Sequence, residues 1–399
     1  MAFAVNGLSS IGNLAVSVSV ARGEPLGRLG QFALAFSIYV LVTGLSRTTV
    51  TESVLAERAE PSSAEAAYGA RRACLLGVLT GAVVVVVGVG HGSSYLAIAG
   101  GMLPGLVLYD YVKAMSLGAG ETRVAVVQEG LWTGCVLTIT LSALVLPITP
   151  VLVFATWATT GALIGVLTAV GQRYPVRPGW NLDRRRTKVS AIFAAQFLVT
   201  TGSAQLALTG LAVVGGAAGV AVVGALGAAR TVFGPVALLT ATLNSLIVPF
   251  LARSRPRGVR TRLRTAGPVV GLTIALSAPV VIGVCLLPDR AGAALLADNW
   301  AVARPLLPLI AVEVLLAPIA LVGFAGHRVQ GAGGRALLIG GVLGPIRVVS
   351  IVAGGVLFGA YGAAGGLALI VVVSASCWCV SYLTLDVQRE KRWRDQPSG

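Results

Sequence analysis

Charged residues and histidines are scarce in this chain. Only 11% of its 399 residues are charged, two are histidine, and 56% are hydrophobic. The mean hydropathy of +0.86 is higher than a water-soluble domain of this length reaches. This composition excludes a soluble globular protein, and it predicts an all-α integral membrane protein without a soluble domain of any size.

The motifs of common catalytic sites are also missing. There is no Gly-x-x-x-x-Gly-Lys-Ser/Thr loop for ATP, no His-Glu-x-x-His, and no pair of carboxylates in a loop large enough to form a pocket. The best pair, Asp289 and Asp298, lies in a short loop and is interpreted as solvated surface. The sequence therefore predicts that the protein is not an enzyme.

Cysteine is rare, and its positions do not indicate a disulfide or metal site. All five cysteines lie in apolar runs, where a thiol behaves as a small hydrophobe. Cys377 and Cys379 are close in sequence, but adjacent helical positions diverge, and no histidine or carboxylate joins them. We predict no metal and no cofactor. The first span also lacks the charged start of a cleavable signal peptide.

Long apolar runs fill the chain instead. A bilayer core about 30 Å thick needs about 20 apolar residues per helical span. We predict about twelve such spans, at 2–21, 29–50, 73–90, 94–112, 124–146, 149–170, 189–213, 220–250, 266–287, 304–325, 336–357 and 361–384. The eighth is long enough to bend or break at Gly234-Pro235.

The positions of the cations predict the orientation in the membrane. A net charge of +15 in a soluble protein would suggest nucleic acid, but nucleic-acid binding is not predicted here. The loops after spans 2, 4, 6, 8 and 10 and the C-terminal tail hold 23 of the 30 lysines and arginines, whereas the opposite loops hold four. By the positive-inside rule, both termini face the cytoplasm across an inner membrane.

The longest polar break divides the spans six and six. It covers residues 171–188 and carries six cations. We predict an N-terminal lobe at 1–170, a basic cytoplasmic linker at 171–188, a C-terminal lobe at 189–384 and a cytoplasmic tail at 385–399. Such a division is common among transporters that bind a substrate between two repeats near mid-membrane.

Polar residues recur inside several spans. In the first span, a stripe at spacings of three and four lies on one helix face, and spans seven and eight carry further amides and hydroxyls. The pattern predicts either a wet cavity between the lobes or interhelical hydrogen bonds with small-residue packing. The amides that would line such a cavity are Asn6, Asn13, Gln196 and Asn244.

The ionisable residues that fall inside or at the edge of spans include Arg47, Arg230, Glu313 and Arg347. An arginine in the membrane is costly, so it needs a counter-charge or an aqueous cavity. Arg230 is predicted to face a cavity that receives an anion. Arg47 has the same prediction, with snorkelling to the surface as the alternative. Glu313 and Arg347 lie at similar depths. They form either a structural ion pair or, if they are apart, a site where Glu313 couples transport to a proton or cation.

Two stretches carry recognisable motifs. Residues 21–35 contain Ala-Arg, a Gly-Glu-Pro turn and Gly-x-Phe-Ala-Leu, and residues 227–253 contain Arg230, Phe-Gly-Pro and Pro-Phe-Leu-Ala-Arg. The first stretch resembles the helix 1–helix 2 junction, and the second resembles helix 8, of polysaccharide (oligosaccharide) flippases of the multidrug/oligosaccharidyl-lipid/polysaccharide (MOP) exporter superfamily. The glycine-rich segment 358–366 and the six-plus-six division also fit. Relatives usually carry a basic segment before helix 1, whereas this span begins at Ala2, and few ionisable residues are expected in the first lobe.

The resemblance implies a MATE-like fold with a V-shaped cavity between two six-helix bundles. It also implies alternating access that moves an undecaprenyl-diphosphate-linked glycan outward, with Arg230 and Arg47 attracting the diphosphate. Expected partners are this lipid-linked glycan, the lipid bilayer and glycan-assembly enzymes. One alternative is a cation-coupled small-molecule antiporter of the same superfamily, which needs membrane-embedded carboxylates such as Glu313. The other is a non-transporting membrane protein.

Overall fold

The protein is helical throughout the part of the chain that the structure describes. The computed structural model describes residues 2–57, 62–179, 184–237, 247, 250, 251 and 258–385. The α-helices are α1 (Ala2–Gly23), α2 (Leu26–Ser46), α3 (Glu52–Glu57), α4 (Ser63–Gly90), α5 (Ser94–Gly118), α6 (Thr122–Ser142), α7 (Pro150–Gly171), α8 (Arg184–Val199), α9 (Gly202–Val232), α10 (Val259–Cys285), α11 (Asp289–Leu296), α12 (Asn299–Ala303), α13 (Leu307–Val329) and α14 (Gly333–Leu383). A π-helical segment, Arg47–Thr51, joins α2 to α3, and a 3₁₀ turn, Arg304–Leu306, joins α12 to α13.

The described part of the chain contains apolar helices of membrane-spanning length, as the sequence predicts. Among the described residues, nine helices are long and apolar enough to cross a membrane. Two of these contain a sharp turn, α9 at Gly216 (φ 55°) and α14 at Gly359 (φ 63°). Positive φ is accessible to glycine at no steric cost, so each turn separates two antiparallel helices. With α1 and α8 added, the chain folds as the all-α integral membrane protein that the sequence predicts.

The eighth span breaks where the sequence predicts. The helix α9 ends at Val232, and Phe233 leaves the helical hydrogen-bond pattern immediately before Gly234-Pro235. Proline lacks a backbone N–H and clashes with the preceding turn, which accounts for a break at this point. The next residues, 238–246, lie outside the described part.

Glycines bring the helices of the first half of the chain together. The helices α1, α4, α5, α6 and α7 pack chiefly with one another. The backbone of Gly81 on α4 approaches the carbonyl of Gly100 on α5 so closely that a Cβ would lie 2.5 Å from its oxygen. Membrane helices associate by close packing, since lipid tails are as apolar as their side chains. These glycines therefore set the spacing of this bundle.

The helices of the second half form a separate set of contacts. The helix α14 packs on α13, on α9 and on α8. Gly323 of α13 lies against the backbone of Trp378, and Gly355 of α14 lies against the side chain of Leu211 on α9. The helix α10 is the most exposed of the candidate spans, with 17% of its most apolar window buried.

The helix α2 joins the two bundles by crossing α9. Gly30 of α2 and Gly224 of α9 face each other's backbone directly, with Val220 and Leu26 completing the crossing. We call the side of the membrane where α1 begins the basic side, because most cations lie there, and the opposite side the far side. The crossing lies in the far-side half, where α2 begins and where α9 turns at Gly216.

Candidate functional site

The arginine of α9 has a carboxylate partner on α13. Arg230 Nε donates to Glu313 Oε2 at 3.2 Å and Nη2 donates to Oε1 at 2.9 Å. Two parallel bonds between a guanidinium and a carboxylate are strong and fix the relative orientation. The side chains remain 28% and 23% exposed, so the pair is not enclosed in a packed core.

The predicted ion pair between Glu313 and Arg347 is wrong. Arg347 Nη1 instead donates to the carbonyl of Thr200 at 3.0 Å and to Ser203 Oγ at 2.9 Å. Depth in the membrane can be inferred from sequence, but the direction in which a helix turns its side chains depends on its neighbours. Glu313 faces α9, and Arg347 faces the junction between α8 and α9.

That junction is a break in the middle of a predicted span. The sequence predicts one continuous helix at 189–213, whereas α8 ends at Val199 and α9 begins at Gly202. The carbonyl of Thr200 accepts from Ser203 Oγ at 2.7 Å as well as from Arg347. Backbone groups released inside a membrane need such partners, because the lipid offers none. In transporters, discontinuous helices of this kind occur at substrate and ion sites.

Close packing by α14 holds the break in place. A Cβ on Gly344 would collide with the backbone of Val199, and one on Gly340 would lie 2.8 Å from Thr200 Cγ2. Glycine at both positions lets α14 reach the break and present Arg347 to it. The Nε of Arg347 is buried and makes no hydrogen bond within the described part of the chain.

A second arginine lies at the start of the π-helical segment. Arg47 Nε donates to Asp110 Oδ2 at 3.1 Å, and Nη2 bonds Oδ1 of the same carboxylate. The Arg47 side chain is 47% exposed and that of Asp110 only 12%. Arg47 therefore has a counter-charge from α5 as well as an exposed face. Single π-turns inside α-helices are frequent at functional sites.

The first bundle contains a buried ion pair between α5 and α6. Lys113 Nζ lies 3.1 Å from Glu129 Oε2, and Tyr109 donates its hydroxyl to the same oxygen at 2.9 Å. Glu129 is fully buried, and its Oε1 has no hydrogen-bond partner among the described residues. The sequence contained a signal, because Gln128-Glu129 interrupts the apolar run 124–146.

Three cations assigned to basic loops are buried within helices. Arg72, Lys113 and Arg262 lie in α4, α5 and α10, each of which extends beyond its predicted span. Arg262 Nη1 donates to the carbonyls of Tyr382 and Leu383 at 3.0 and 3.1 Å, at the end of α14. These cations stabilise helix ends and interhelical contacts and are not free surface charges.

The predicted amides have different environments. Asn13 Oδ1 accepts a hydrogen bond from Trp157 Nε1 of α7 at 3.0 Å. At this position, the polar stripe on α1 therefore makes an interhelical hydrogen bond, the second of the two alternatives. Gln196 is partly exposed in α8, and its carbonyl accepts from the Thr200 hydroxyl at 2.6 Å, one turn before the break. The side chain of Asn6 and all of Asn244 lie outside the described residues.

The resulting site has a surplus of positive charge. Arg230, Glu313 and Arg347 together carry one net positive charge, and the separate Arg47–Asp110 pair in the first half of the chain is neutral. In both pairs the arginine is the more exposed partner. Such a site can attract an anion. Within the described part of the chain, no three metal-binding side chains lie together.

No family model and no curated protein matches the sequence. Solved structures do match: an inward-facing multidrug resistance MATE family transporter of the MOP superfamily superposes with a TM-score of 0.67, covering 98% of this chain and 96% of that chain at 16% identity. An outward-facing multidrug resistance MATE family transporter superposes with a TM-score of 0.61, covering 98% of this chain and 94% of that chain at 16% identity. A MOP superfamily transporter from Pyrococcus furiosus superposes with a TM-score of 0.57, covering 99% of this chain and 95% of that chain at 15% identity. The reverse polarity of that transporter's binding pocket suggests a different function for it. The chain therefore has the fold of the MATE transporters of the MOP superfamily.

Proposed function

We propose that this protein is a membrane transporter that moves a lipid-diphosphate-linked glycan by alternating access. The carrying observation is Arg347, which has no carboxylate partner within the described part of the chain and lies at a helix break beside the Arg230–Glu313 pair. The shared fold supports transport in general. Neighbours with this fold are transporters, which agrees with the predicted absence of an enzymatic activity.

The charge of the site supports an anionic substrate. A diphosphate offers several oxygens that can accept parallel N–H bonds from a guanidinium. Arg230 and Arg347 can supply such donors near mid-membrane, and Arg47 can do so closer to the basic side. Because each paired arginine is more exposed than its carboxylate, a phosphate can approach the guanidinium without displacing the pair.

The helix break adds a further favourable dipole. A new helix begins at Gly202, after the break, and a helix N-terminus favours negative charge. Arg347 lies at this terminus through its bond to Ser203. The break and the arginine therefore favour the same kind of ligand.

The remaining parts of the proposal concern the cellular setting. We infer that the protein lies in the inner membrane with both termini in the cytoplasm. Its two lobes would be residues 1–170 and 189–384, and its partners would be glycan-assembly enzymes. A diphosphate moving outward through an inside-negative membrane gains about 2.3 kcal/mol per charge per 100 mV. The membrane potential could then bias the direction of transport without ATP.

A cation-coupled antiporter is the second candidate, and the first bundle favours it. Asp110 and Glu129 are embedded carboxylates, and Glu129 has an oxygen without a partner within the described part of the chain. Each of them, like Glu313 on α13, could bind a proton or a monovalent cation. This function predicts that a cationic solute is transported in exchange for protons or sodium ions that move down their gradient in the opposite direction.

Reconstituted protein can separate the two functions. We expect vesicles to move a fluorescent polyprenyl-diphosphate disaccharide but not a cationic dye. Arg347→Gln should lower glycan-lipid movement at least tenfold, because it removes the uncompensated charge. Arg335→Gln, the same change at a partly exposed position near the start of the same helix, is the matched control and should leave movement unchanged. The anion proposal would be rejected if Arg347→Gln moved the glycan lipid at the parental rate, or if the vesicles moved the cationic dye and not the glycan lipid.

A further inference from the structure

An asparagine of the second bundle holds the end of the first helix at the far side. Asn299 Nδ2 donates to the carbonyls of Ala21 and Glu24, each at 2.8 Å. These two residues lie at the end of α1, where carbonyls have no partner within the helix. Asn299 is only 5% exposed. One amide group thus caps a helix of the opposite bundle.

The asparagine itself is fixed by its neighbours. The indole of the adjacent Trp300 is buried against Gly292, and its Nε1 donates to Asp289 Oδ1 at 2.9 Å. Asp289 also pairs with Arg304, which closes the short segment around α11 and α12. These contacts therefore hold the segment that carries Asn299 within the second bundle.

The other half of this contact is equally fixed. Glu24 is buried, and its Oε1 accepts from the Tyr95 hydroxyl at 2.8 Å within the first bundle. Arg28 lies 3.4 Å from the second carboxylate oxygen. Each half belongs to a different bundle, and the two amide hydrogen bonds connect them.

The contact lies on the same side as the close crossing of α2 and α9. There, Gly30 and Gly224 bring the two backbones together without intervening side chains. The crossing and the capped end of α1 are thus two contacts between the bundles at the far side. Arg230 lies 14 residues beyond the far-side turn of α9 at Gly216, and so deeper in the membrane than these contacts.

We propose that Asn299 is the latch of a far-side gate, an inference that rests on the alternating access of the proposed function. In the closed state the amide caps α1. When the bundles separate, water can replace the amide at both carbonyls, so the bonds can break and reform at moderate cost. Release of Asn299 opens the far side to the region between the bundles.

Asn299→Asp tests the latch with almost no change in shape. The carboxylate has no N–H to donate, and it places negative charge against two carbonyl oxygens. The reporter is Ser37→Cys in a chain whose native cysteines are replaced. Ser37 is 3% exposed, bonds Gln205 of the second bundle at 2.5 Å, and lies about 17 Å beyond the far-side start of α2. We expect a membrane-impermeant maleimide added on the far side to label the reporter at least tenfold faster in Asn299→Asp than in the parent.

Two further variants make the result unambiguous. Thr149→Ala removes a far-side helix cap that lies within the first bundle and should not change the labelling rate. Asn299→Ala, which loses the donor without adding charge, should also label faster, and it replaces Asn299→Asp if that variant does not fold. Equal rates in the parent and the Asn299 variants, or an equal increase with Thr149→Ala, would overturn the latch.

The labelling assay contains no transport substrate. Its failure is therefore distinct from failure of the proposed function, which the Arg347→Gln transport experiment measures. Faster labelling of Asn299→Asp in a protein that moves no glycan lipid would retain the gate and reject the substrate.

Discussion

At the scale of single residues, the pair of Lys113 and Glu129 is the most deeply buried ion pair of the described chain. Lys113→Met should lower the free energy of unfolding by about 3–5 kcal/mol, because it leaves a fully buried carboxylate without its counter-charge. Adding Glu129→Gln should recover most of this loss, since the remaining amide carries no charge. The free energy of unfolding of the parent, of Lys113→Met and of the double variant can be measured in mixed micelles.

Arg123→Met is the control for that change. Arg123 is exposed at the start of the next helix, so its replacement should alter the free energy of unfolding by less than about 0.5 kcal/mol. A Lys113→Met protein as stable as Arg123→Met would mean that Glu129 has another source of stabilisation.

The Arg230–Glu313 pair should behave as one unit in stability measurements. Because both side chains are partly exposed, we expect Arg230→Ala and Glu313→Ala each to cost about 1–3 kcal/mol, less than a fully buried pair would. The double variant should cost less than the two single losses together, by about 1 kcal/mol or more. Strict additivity would show that the two bonds do not contribute to stability.

The role of Arg230 in transport stays a separate prediction. Arg230→Ala should abolish glycan-lipid movement, and Arg230→Lys should keep part of it, because lysine retains the charge but not the planar fork. Full transport by the alanine variant would remove Arg230 from the mechanism.

The sequence predicted which residues matter at this scale better than it predicted their partners. Arg230, Arg47, Glu313 and Arg347 were identifiable as ionisable groups in apolar runs. Their pairing depends on which helix faces which, a property that no single sequence displays. Asp110 escaped notice because it lies near the end of a span, where charged residues are ordinarily interpreted as part of the loop.

At the scale of elements, the two glycine turns are the most constrained positions. Gly216→Ala should lower the free energy of unfolding by about 1–3 kcal/mol, because φ of 55° with ψ of −138° strains any residue with a Cβ. Gly215→Ala is the matched control, since a Cβ there meets only Leu211 Cδ1 at 3.9 Å. Thermal unfolding of the two variants should differ clearly, and equal stability would mean that the turn relaxes without cost.

Hydropathy predicted the helices but not their interruptions. A window of about 20 residues detects an apolar run and averages over a break of two residues such as Thr200-Thr201. The short helices α3, α11 and α12 lie outside the predicted spans because they are too short or too polar to cross a membrane. Glycine turns at 216 and 359 were visible as separations between predicted spans.

At the scale of the whole molecule, the orientation in the membrane stays a prediction. Cysteine labelling in intact cells should place 180–188, 253–264 and the tail after Asp386 in the cytoplasm, with 289–300 outside, because cations are retained on the cytoplasmic side. The native cysteines should be replaced first. Labelling of 253–264 from outside would contradict the twelve-span orientation.

The overall architecture followed from two kinds of information. Apolar runs and cation positions predicted the number of helices and their alternation, and the resemblance predicted the arrangement of two bundles. The shared fold supports that arrangement. The arrangement of charges inside the molecule was not predictable from either source, because it arises from contacts between helices far apart in the chain, such as Arg230 with Glu313.

The turn in α14 has a consequence for how the protein is made. The two halves of this 51-residue helix meet through Gly354 and Gly362, and through Ser350 and Gly366, positions that are neighbours across Gly359. Contacts between residues so close in sequence form early, since little chain has to be brought together. We expect the last two helices to leave the translocon as a preassembled hairpin and to dock afterwards on a bundle that is already inserted.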